Sequence, residues 1–311
     1  METHCPICGC RDVAPQYRSS PARYCRCSDC GLVFLAERPA QSPPIVNDDL
    51  DRPPPRLLRW FLERRCALIR KLCALDNPRL LDVGCGSGRL LAMFRRYGQV
   101  AGVEISPQCR TYATQRLGLE VFGSLHDVPR DGRGYDVITF WHSLEHMDDP
   151  LGVLRAAGEL LSADGCIFIS VPNVASLQAR LGRTRWAYHD YPNHVFEFSS
   201  PSLEGLLARA GLRVKARRRL SIEYGPFGAL QTALNFLGGP HNFFYYATKR
   251  GWAYGELPPA RRAGRRAINY LGLAAFTVPA ILFSLCEPAL GHGAVLQVAA
   301  VPATRQDANE P

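Results

Sequence analysis

The feature that most constrains this chain is one junction, RLLDVGCGSGRLLAMF over residues 79–94, where an apolar run breaks into three alternate glycines and then resumes. An apolar run bounded by glycine reads as a strand, whereas RLLAMFRRYG (89–98) has helical spacing. A glycine bend there lets backbone pass close to a ligand at the carboxyl edge of a sheet, beside the next helix N-terminus. The alternation then repeats. VAGVEIS reads as the next strand, followed by a helix entered at Ser106-Pro107, a serine cap with proline at the first helical position. LEVFGS, YDVITFWH and CIFISVPN are further strands, and Asp149-Pro150 opens the helix LGVLRAAGELL between the last two. Ahead of them all, Leu57, Leu58, Phe61, Leu62, Leu68, Ile69 and Leu72 fall at helical spacing. Repeated strand–helix units predict an α/β fold, a parallel sheet covered by helices on both faces.

Composition bounds the rest. With 311 residues, 47% of them hydrophobic and 21% charged, the chain can bury a sizeable core, which excludes global disorder. A net charge of +9 would suit a polyanion or an anionic membrane surface. Yet Lys71, Lys215 and Lys249 are the only lysines, and an arginine bias can follow from codon usage, so the charge is weak support for nucleic acid. Met1 leads directly into polar and charged residues rather than an apolar signal segment. The expectation is a reducing cytoplasm, where the twelve cysteines are thiols or metal ligands.

Six of those cysteines lie in the first thirty residues. Cys5 and Cys8 form one C-x2-C knuckle, and Cys27 and Cys30 form another. Two such turns present four thiolates to one tetrahedral Zn2+, with the spacing of a zinc ribbon. Gly9 and Gly31 follow the knuckles, where a tight turn aims N–H groups at sulfur. So small a module cannot fold on apolar burial alone, and the metal would supply its folding energy. Cys10 and Cys25 are spare thiols that could replace either pair's members. The expected module spans residues 1–38, and a proline-rich spacer over 39–56 separates it from the α/β domain.

In LDVGCGSG, Asp82 precedes Gly84, Gly86 and Gly88, and Glu104 ends the second strand, eighteen residues after Gly86. An acid at that position can accept both hydroxyls of a ribose. With these residues in view, 57–222 resembles a class I S-adenosylmethionine-dependent methyltransferase, whose first motif is an acid followed by G-x-G-x-G. The resemblance implies a Rossmann-like seven-stranded sheet. It also implies cofactor contacts from Asp82, Gly84, Cys85, Gly86, Gly88, Glu104 and Ile105, from Ser124 and Leu125 at the adenine, and from Trp141 and His142 at the fourth strand's edge. Trp141-His142-Ser143-Leu144-Glu145-His146 is similar to the LEH signature of ubiquinone-biosynthesis O-methyltransferases and their relatives.

That branch more often methylates oxygen on small, sugar or lipid-linked acceptors. The loop of enzymes acting on exocyclic amines, Asp/Asn/Ser-Pro-Pro-aromatic, is absent, and no Pro-Cys dipeptide supplies a cytosine C5 nucleophile. Cys85 lies too near the cofactor to act as one. Some relatives hold a divalent ion with E-x-x-E-H, but His142 stands where the first acid belongs, and no such metal is expected. Methyl transfer from a sulfonium is an SN2 step in which the protein chiefly aligns the reactants. A hydroxyl acceptor also needs a base near neutral pKa, and His146, beside Glu145, and His194 are the candidates. His194 lies in WAYHDYPNHVFEFSSPSLEGLL, similar to the P-x-H-x-x-x-F-S segment of this branch. The rival readings are an RNA methyltransferase guided by the ribbon and a non-catalytic adaptor.

The expected sixth strand is LRVKARRRLSI (212–222) and the seventh AVLQVAAV (294–301), returning between strands five and six. A short hairpin usually joins them, yet 223–291 intervenes, aromatic (Tyr224, Phe227, Phe236, Phe243, Phe244, Tyr245, Tyr246, Trp252, Tyr254) and carrying the basic run ARRAGRR. It ends in AINYLGLAAFTVPAILFSLC (267–286), without a charge and long enough to span a membrane. A single span would strand the seventh strand on the far side. The expectation is a helical insertion that acts as an acceptor lid or as a hairpin in the membrane interface, peripheral at the cytoplasmic face. The tail ATRQDANEP is polar and expected to fray.

Overall fold

The computed structural model describes residues 4–17, 24–37, 50, 54–248 and 259–303. Most of the proline-rich spacer, Trp252, Tyr254 and the tail beyond Ala303 lie outside the described residues. The chain divides into two compact units, and each is taken by itself below. A ribbon unit comprises Met1–Asp49, Pro172–Leu203 and Arg218–Leu296, and a sheet unit comprises Leu50–Val171, Glu204–Arg217 and Gln297–Pro311.

The N-terminal strands are β1 (Val13–Pro15), β2 (Tyr24–Cys27) and β3 (Val33–Leu35), paired antiparallel in sequence order. The sheet unit opens with α1 (Arg56–Cys73), whose buried residues Leu62, Cys66 and Ile69 follow the predicted helical stripe. Then come β4 (Arg79–Val83), α2 (Arg89–Phe94), β5 (Gln99–Val103), α3 (Pro107–Leu117), β6 (Glu120–Phe122), β7 (Tyr135–Trp141), α4 (Pro150–Glu159) and β8 (Leu161–Pro172). The sequence signals for helix starts act as capping residues should. The Ser106 hydroxyl accepts from Cys109 N–H ahead of α3, and Asp149 accepts from Gly152 N–H ahead of α4, each with proline at the first turn.

After α5 (Leu177–Gly182), β9 (Phe196–Glu197) and α6 (Ser200–Arg209), the chain adds β10 (Leu212–Arg218) and finally β11 (Val295–Pro302). The seven-stranded sheet runs β10-β11-β8-β7-β4-β5-β6, so the last strand enters between the fifth and sixth of this sheet, as expected. Pairings of β4 with β5 and β7, of β5 with β6 and of β7 with β8 are all parallel. Strand β4 stops at Val83, where the glycine bend begins, and β10 stops at Arg218, short of the expected 212–222. One core fills the side covered by α1 and α2, with Leu80, Leu91, Phe94, Val137, Trp141 and Phe168 buried together.

In the ribbon unit, β9 adds a fourth strand to the N-terminal ribbon, antiparallel to β3 through Val33↔Glu197 and Phe34↔Phe196. Nothing in the sequence marks this strand, because two residues carry no periodicity. Side chains reinforce the pairing: the Tyr17 hydroxyl donates to Glu197 at 2.9 Å, and the Tyr24 hydroxyl donates to the His194 carbonyl. The insertion contributes α7 (Tyr224–Asn235), α8 (Phe243–Thr248) and the 28-residue α9 (Pro259–Cys286), which accommodates Pro279 in its interior. Amide side chains fasten these helices. Asn235 donates to the Arg185 carbonyl at 2.9 Å and to Asn242 at 3.0 Å, and Asn242 donates to the Ala187 carbonyl at 2.8 Å.

Candidate functional site

At the carboxyl end of β4 the chain turns through Gly84, Gly86 and Gly88, all with positive φ. Gly84 has two reasons to lack a side chain. Its φ of +79° disfavours any L-residue, and an added Cβ would fall 2.5 Å from the Ser143 Cβ. The N–H groups of Gly84 and Cys85 both donate to the Val103 carbonyl, which ties the bend to the end of β5. Glu104 then closes it: one carboxylate oxygen accepts from Gly86 N–H and the other from Ser106 N–H, both at 2.8 Å. Each oxygen keeps a second lone pair, so the carboxylate that shapes the loop still has acceptors to offer. Glu104 is buried and Ile105, immediately after it, is 80% exposed, which makes this a lip of the sheet edge.

Asp82 lies beneath the bend, buried, and accepts from the Thr139 hydroxyl at 2.6 Å. Burial pushes its carboxyl up to about 6, against the Thr139 hydrogen bond and the nearby Arg65 guanidinium, which lower it. Arg65 on α1 also lies 4.8 Å from the centre of the Trp141 ring. Arg65 adjoins the apolar stripe of α1, three residues after Leu62, but no local motif distinguishes it. Trp141 itself belongs to the core, 4.7 Å from Phe168, and its Nε1 is buried with no hydrogen-bond partner among the described residues. Cys85 packs on Gly102, where a Cβ would meet its sulfur at 2.6 Å. Burial and the carboxyls of Asp82 and Glu104 hold that thiol far above its ordinary range, so it stays protonated and unreactive.

Beyond β6, Ser124 and Leu125 open a short turn, Leu125–Asp127, in which Asp127 accepts from both the N–H and the hydroxyl of Ser124. Beyond β7, His142 adopts a φ of +51° and its N–H donates to the Ser170 carbonyl at 2.8 Å. Its Nδ1 is 3.3 Å from Glu145, which is fully buried, and His146 closes the turn with its N–H on the Ser143 carbonyl. The buried Ser143 anchors this turn by donating to the Val83 carbonyl at 2.6 Å. The structure therefore gathers Asp82, the three glycines, Glu104, Ile105 and the β7 turn in the sheet unit.

His194 belongs to the ribbon unit. It is buried, and its Nδ1 lies 2.7 Å from the Tyr188 carbonyl. A carbonyl only accepts, so Nδ1 carries the hydrogen and Nε2 is the basic nitrogen in the neutral ring. Close by in sequence, His189 pairs with Glu197 at 2.7 Å, both buried.

The four knuckle sulfurs, of Cys5, Cys8, Cys27 and Cys30, all lie within 4.8 Å of one another, and Cys10 and Cys25 are not among them. Cys5 is 3.6 Å from Cys30 and Cys8 is 3.5 Å from Cys27, against about 3.8 Å between ligands of a tetrahedral site with Zn–S near 2.3 Å. Gly9 and Gly31 turn with φ of +74° and +69° and donate to the Cys5 and Cys27 carbonyls. Burial and the neighbouring Cys5 and Cys8 thiols push the Cys30 thiol far above its ordinary range.

A family model described as a methyltransferase domain matches residues 56–216, just over half the chain. A ubiquinone biosynthesis O-methyltransferase from Xanthomonas campestris pv. campestris is 34% identical over 108 residues, 32% of this chain and 45% of that protein. One from Hydrogenovibrio crunogenus is 28% identical over 117 residues, 35% of this chain and 48% of that protein. The chain thus spans about half the length of the curated relatives it matches. A candidate sarcosine dimethylglycine methyltransferase from Galdieria sulphuraria superimposes with a TM-score of 0.51 at 14% identity, covering 82% of this chain and 90% of that one, a likeness of fold alone. With its glycine bend, its acid-ended second strand and its seven-stranded sheet, the chain belongs to the methyltransferase-domain family.

Proposed function

We propose that the protein is an S-adenosylmethionine-dependent methyltransferase acting on oxygen of a small, sugar or lipid-linked acceptor. The observation that carries the cofactor is the glycine bend clasped by Glu104, which leaves acceptor lone pairs at a cradle that no Cβ enters. The residues fit the group. Glu104 would accept the ribose hydroxyls, Ser124 and Leu125 would flank the adenine, and Arg65 would answer the amino-acid carboxylate. When bound, the sulfonium supplies an activated methyl group and needs no metal to activate it. The chain's own task is to align the acceptor and remove its proton.

For the proton we assign His194. Its Nδ1 hydrogen is committed to the Tyr188 carbonyl, so the tautomer a general base requires is fixed before any acceptor arrives. The names of the ubiquinone biosynthesis relatives support an oxygen acceptor attached to a lipid. In the same reading Cys5, Cys8, Cys27 and Cys30 hold a structural zinc, supported by their sulfur spacing, and the ion would supply folding energy rather than chemistry.

Calorimetry of the full chain with S-adenosylmethionine, followed by transfer of labelled methyl groups to a cell lipid extract and, separately, to total RNA, tests this. The expectation is heat from the cofactor and label in the lipid. No heat would sink the cofactor assignment, and label in RNA alone would sink the acceptor class.

A further inference from the structure

Helix α9 wears its apolar side outward. Tyr270, Leu271, Val278, Leu282 and Leu285 are 47–72% exposed, while Asn269, Ala280 and Ser284 are at most 6% exposed. Gly272 faces α7, where a Cβ would strike Leu234 and Leu237. The inward half thus offers small and polar residues to the neighbouring helix, and the outward half offers large apolar ones to the surroundings. A helix on the water-facing surface of a protein shows the opposite distribution. The outward stripe continues for some 20 residues, about 30 Å, without a charged residue from Ala267 to Cys286. Isolated exposed apolar residues are ordinary; a contiguous stripe of this length marks a docking surface.

We infer that this face of α9 lies on an anionic phospholipid surface, with the helix in the plane of the interface. Charge complementarity selects that occupant. Arg261, Arg262 and Arg266 fall in the first turns of the same helix, at the end where headgroups would meet it. A second copy offers those arginines nothing along α9. From Ala263 to Leu290 the only acid is Glu287, which is 1% exposed and accepts from the backbone and the side chain of Gln178. The helix meets the length and composition needed to cross a bilayer, yet its inner side is committed along its length. Asn269 and Ser284 are buried, Arg265 donates to the Leu237 and Gly238 carbonyls, and the far end is held through Glu287. A helix held at both ends to one folded unit lies on a membrane rather than through it.

The test uses the full chain sedimented with phosphatidylcholine vesicles, with and without phosphatidylglycerol, at low and high salt. Binding is expected to the mixed vesicles, to weaken with salt, and to fall roughly fivefold for each of Arg261, Arg262 and Arg266 replaced by Gln. The triple variant Leu271→Glu, Val278→Glu, Leu282→Glu should remain in the supernatant while keeping its melting curve and its calorimetric titration with S-adenosylmethionine. A wild type that ignores both vesicle types overturns the inference, as does a concentration-dependent dimer that the triple variant dissolves. The inference stands apart from the cofactor reading. Vesicle binding without cofactor heat would sink only that reading, and heat without vesicle binding only this inference.

Discussion

The sheet unit and the ribbon unit keep their interiors in different ways. In the sheet unit the buried side chains are overwhelmingly apolar, and the buried polar ones, Asp82, Glu104, Thr139, Ser143 and Glu145 among them, cluster at the glycine bend and the β7 turn. The ribbon unit instead buries Gln178, His189, Glu197, Gln231, Thr232, Asn235 and Asn242, mostly joined to one another or to backbone carbonyls. Apolar packing is non-directional and survives modest shifts, whereas a buried polar network must be complete, since each unpaired member costs about 1–3 kcal/mol. The first unit is thus specified by pattern and the second by particular partners. Single substitutions should therefore harm the two units differently.

The largest effect should follow removal of the metal proposed for the ribbon. Cys27→Ser is expected to abolish zinc content, measured by elemental analysis, and to unfold the ribbon strands, since a structural zinc contributes about 10–16 kcal/mol. The sheet unit should still titrate with S-adenosylmethionine. If cofactor binding vanished with the zinc, the two units would not be independently specified.

Next in size is His194→Gln. Loss of a general base should lower kcat by about 10²–10⁴ with the cofactor Kd unchanged, and should erase the limb over which the wild-type rate rises with pH. An unchanged pH profile would remove His194 from the mechanism. Glu104→Gln, in the other unit, should weaken the cofactor roughly ten- to hundredfold, about 1.5–3 kcal/mol for a charged hydrogen bond, with no change in zinc content. A cofactor affinity unaffected by that change would move the ribose elsewhere.

The two units should also respond to pH in opposite directions, by a smaller margin. Burial lowers His241 to about 4 from 6.5, so between those values the unfolded chain binds a proton that the folded one refuses. The ribbon unit therefore loses stability as pH falls through that window, by about 1 kcal/mol near pH 5.5. Asp82 does the reverse. Raised to about 6 from 3.8, it binds a proton more readily folded than unfolded, and the sheet unit gains about 1 kcal/mol near pH 5. Melting curves across pH 4–7 should lose the first trend in His241→Gln and the second in Asp82→Asn.

Much of the sheet unit could be read from the chain. Its strands are apolar runs cut by glycine, its helices open at Ser106-Pro107 and Asp149-Pro150, and the resemblance to class I methyltransferases implied the place of its last strand. The bend's residues were legible for the same reason, since positive φ selects glycine locally. Arg65 and Thr139 were not, because each meets Asp82 from a helix face or across the sheet, and nothing in its own neighbourhood marks it. The reading of 223–291 as apolar and helical was likewise local, but which side of α9 faces outward was not.

Sequence alone determined what depends on near neighbours: helical and strand periodicity, caps, the glycine bend, and the pairing of cysteines into knuckles. Tertiary structure decided what depends on partners far along the chain. It drew β9 onto the ribbon, selected four of six N-terminal thiols, fixed the tautomer of His194 through the Tyr188 carbonyl, and turned the large side chains of α9 away from α7. Local preferences act over a turn or two of backbone. Contacts between distant segments form only once the entropy of closing the intervening loop has been offset, and no short window of residues records which closures succeed.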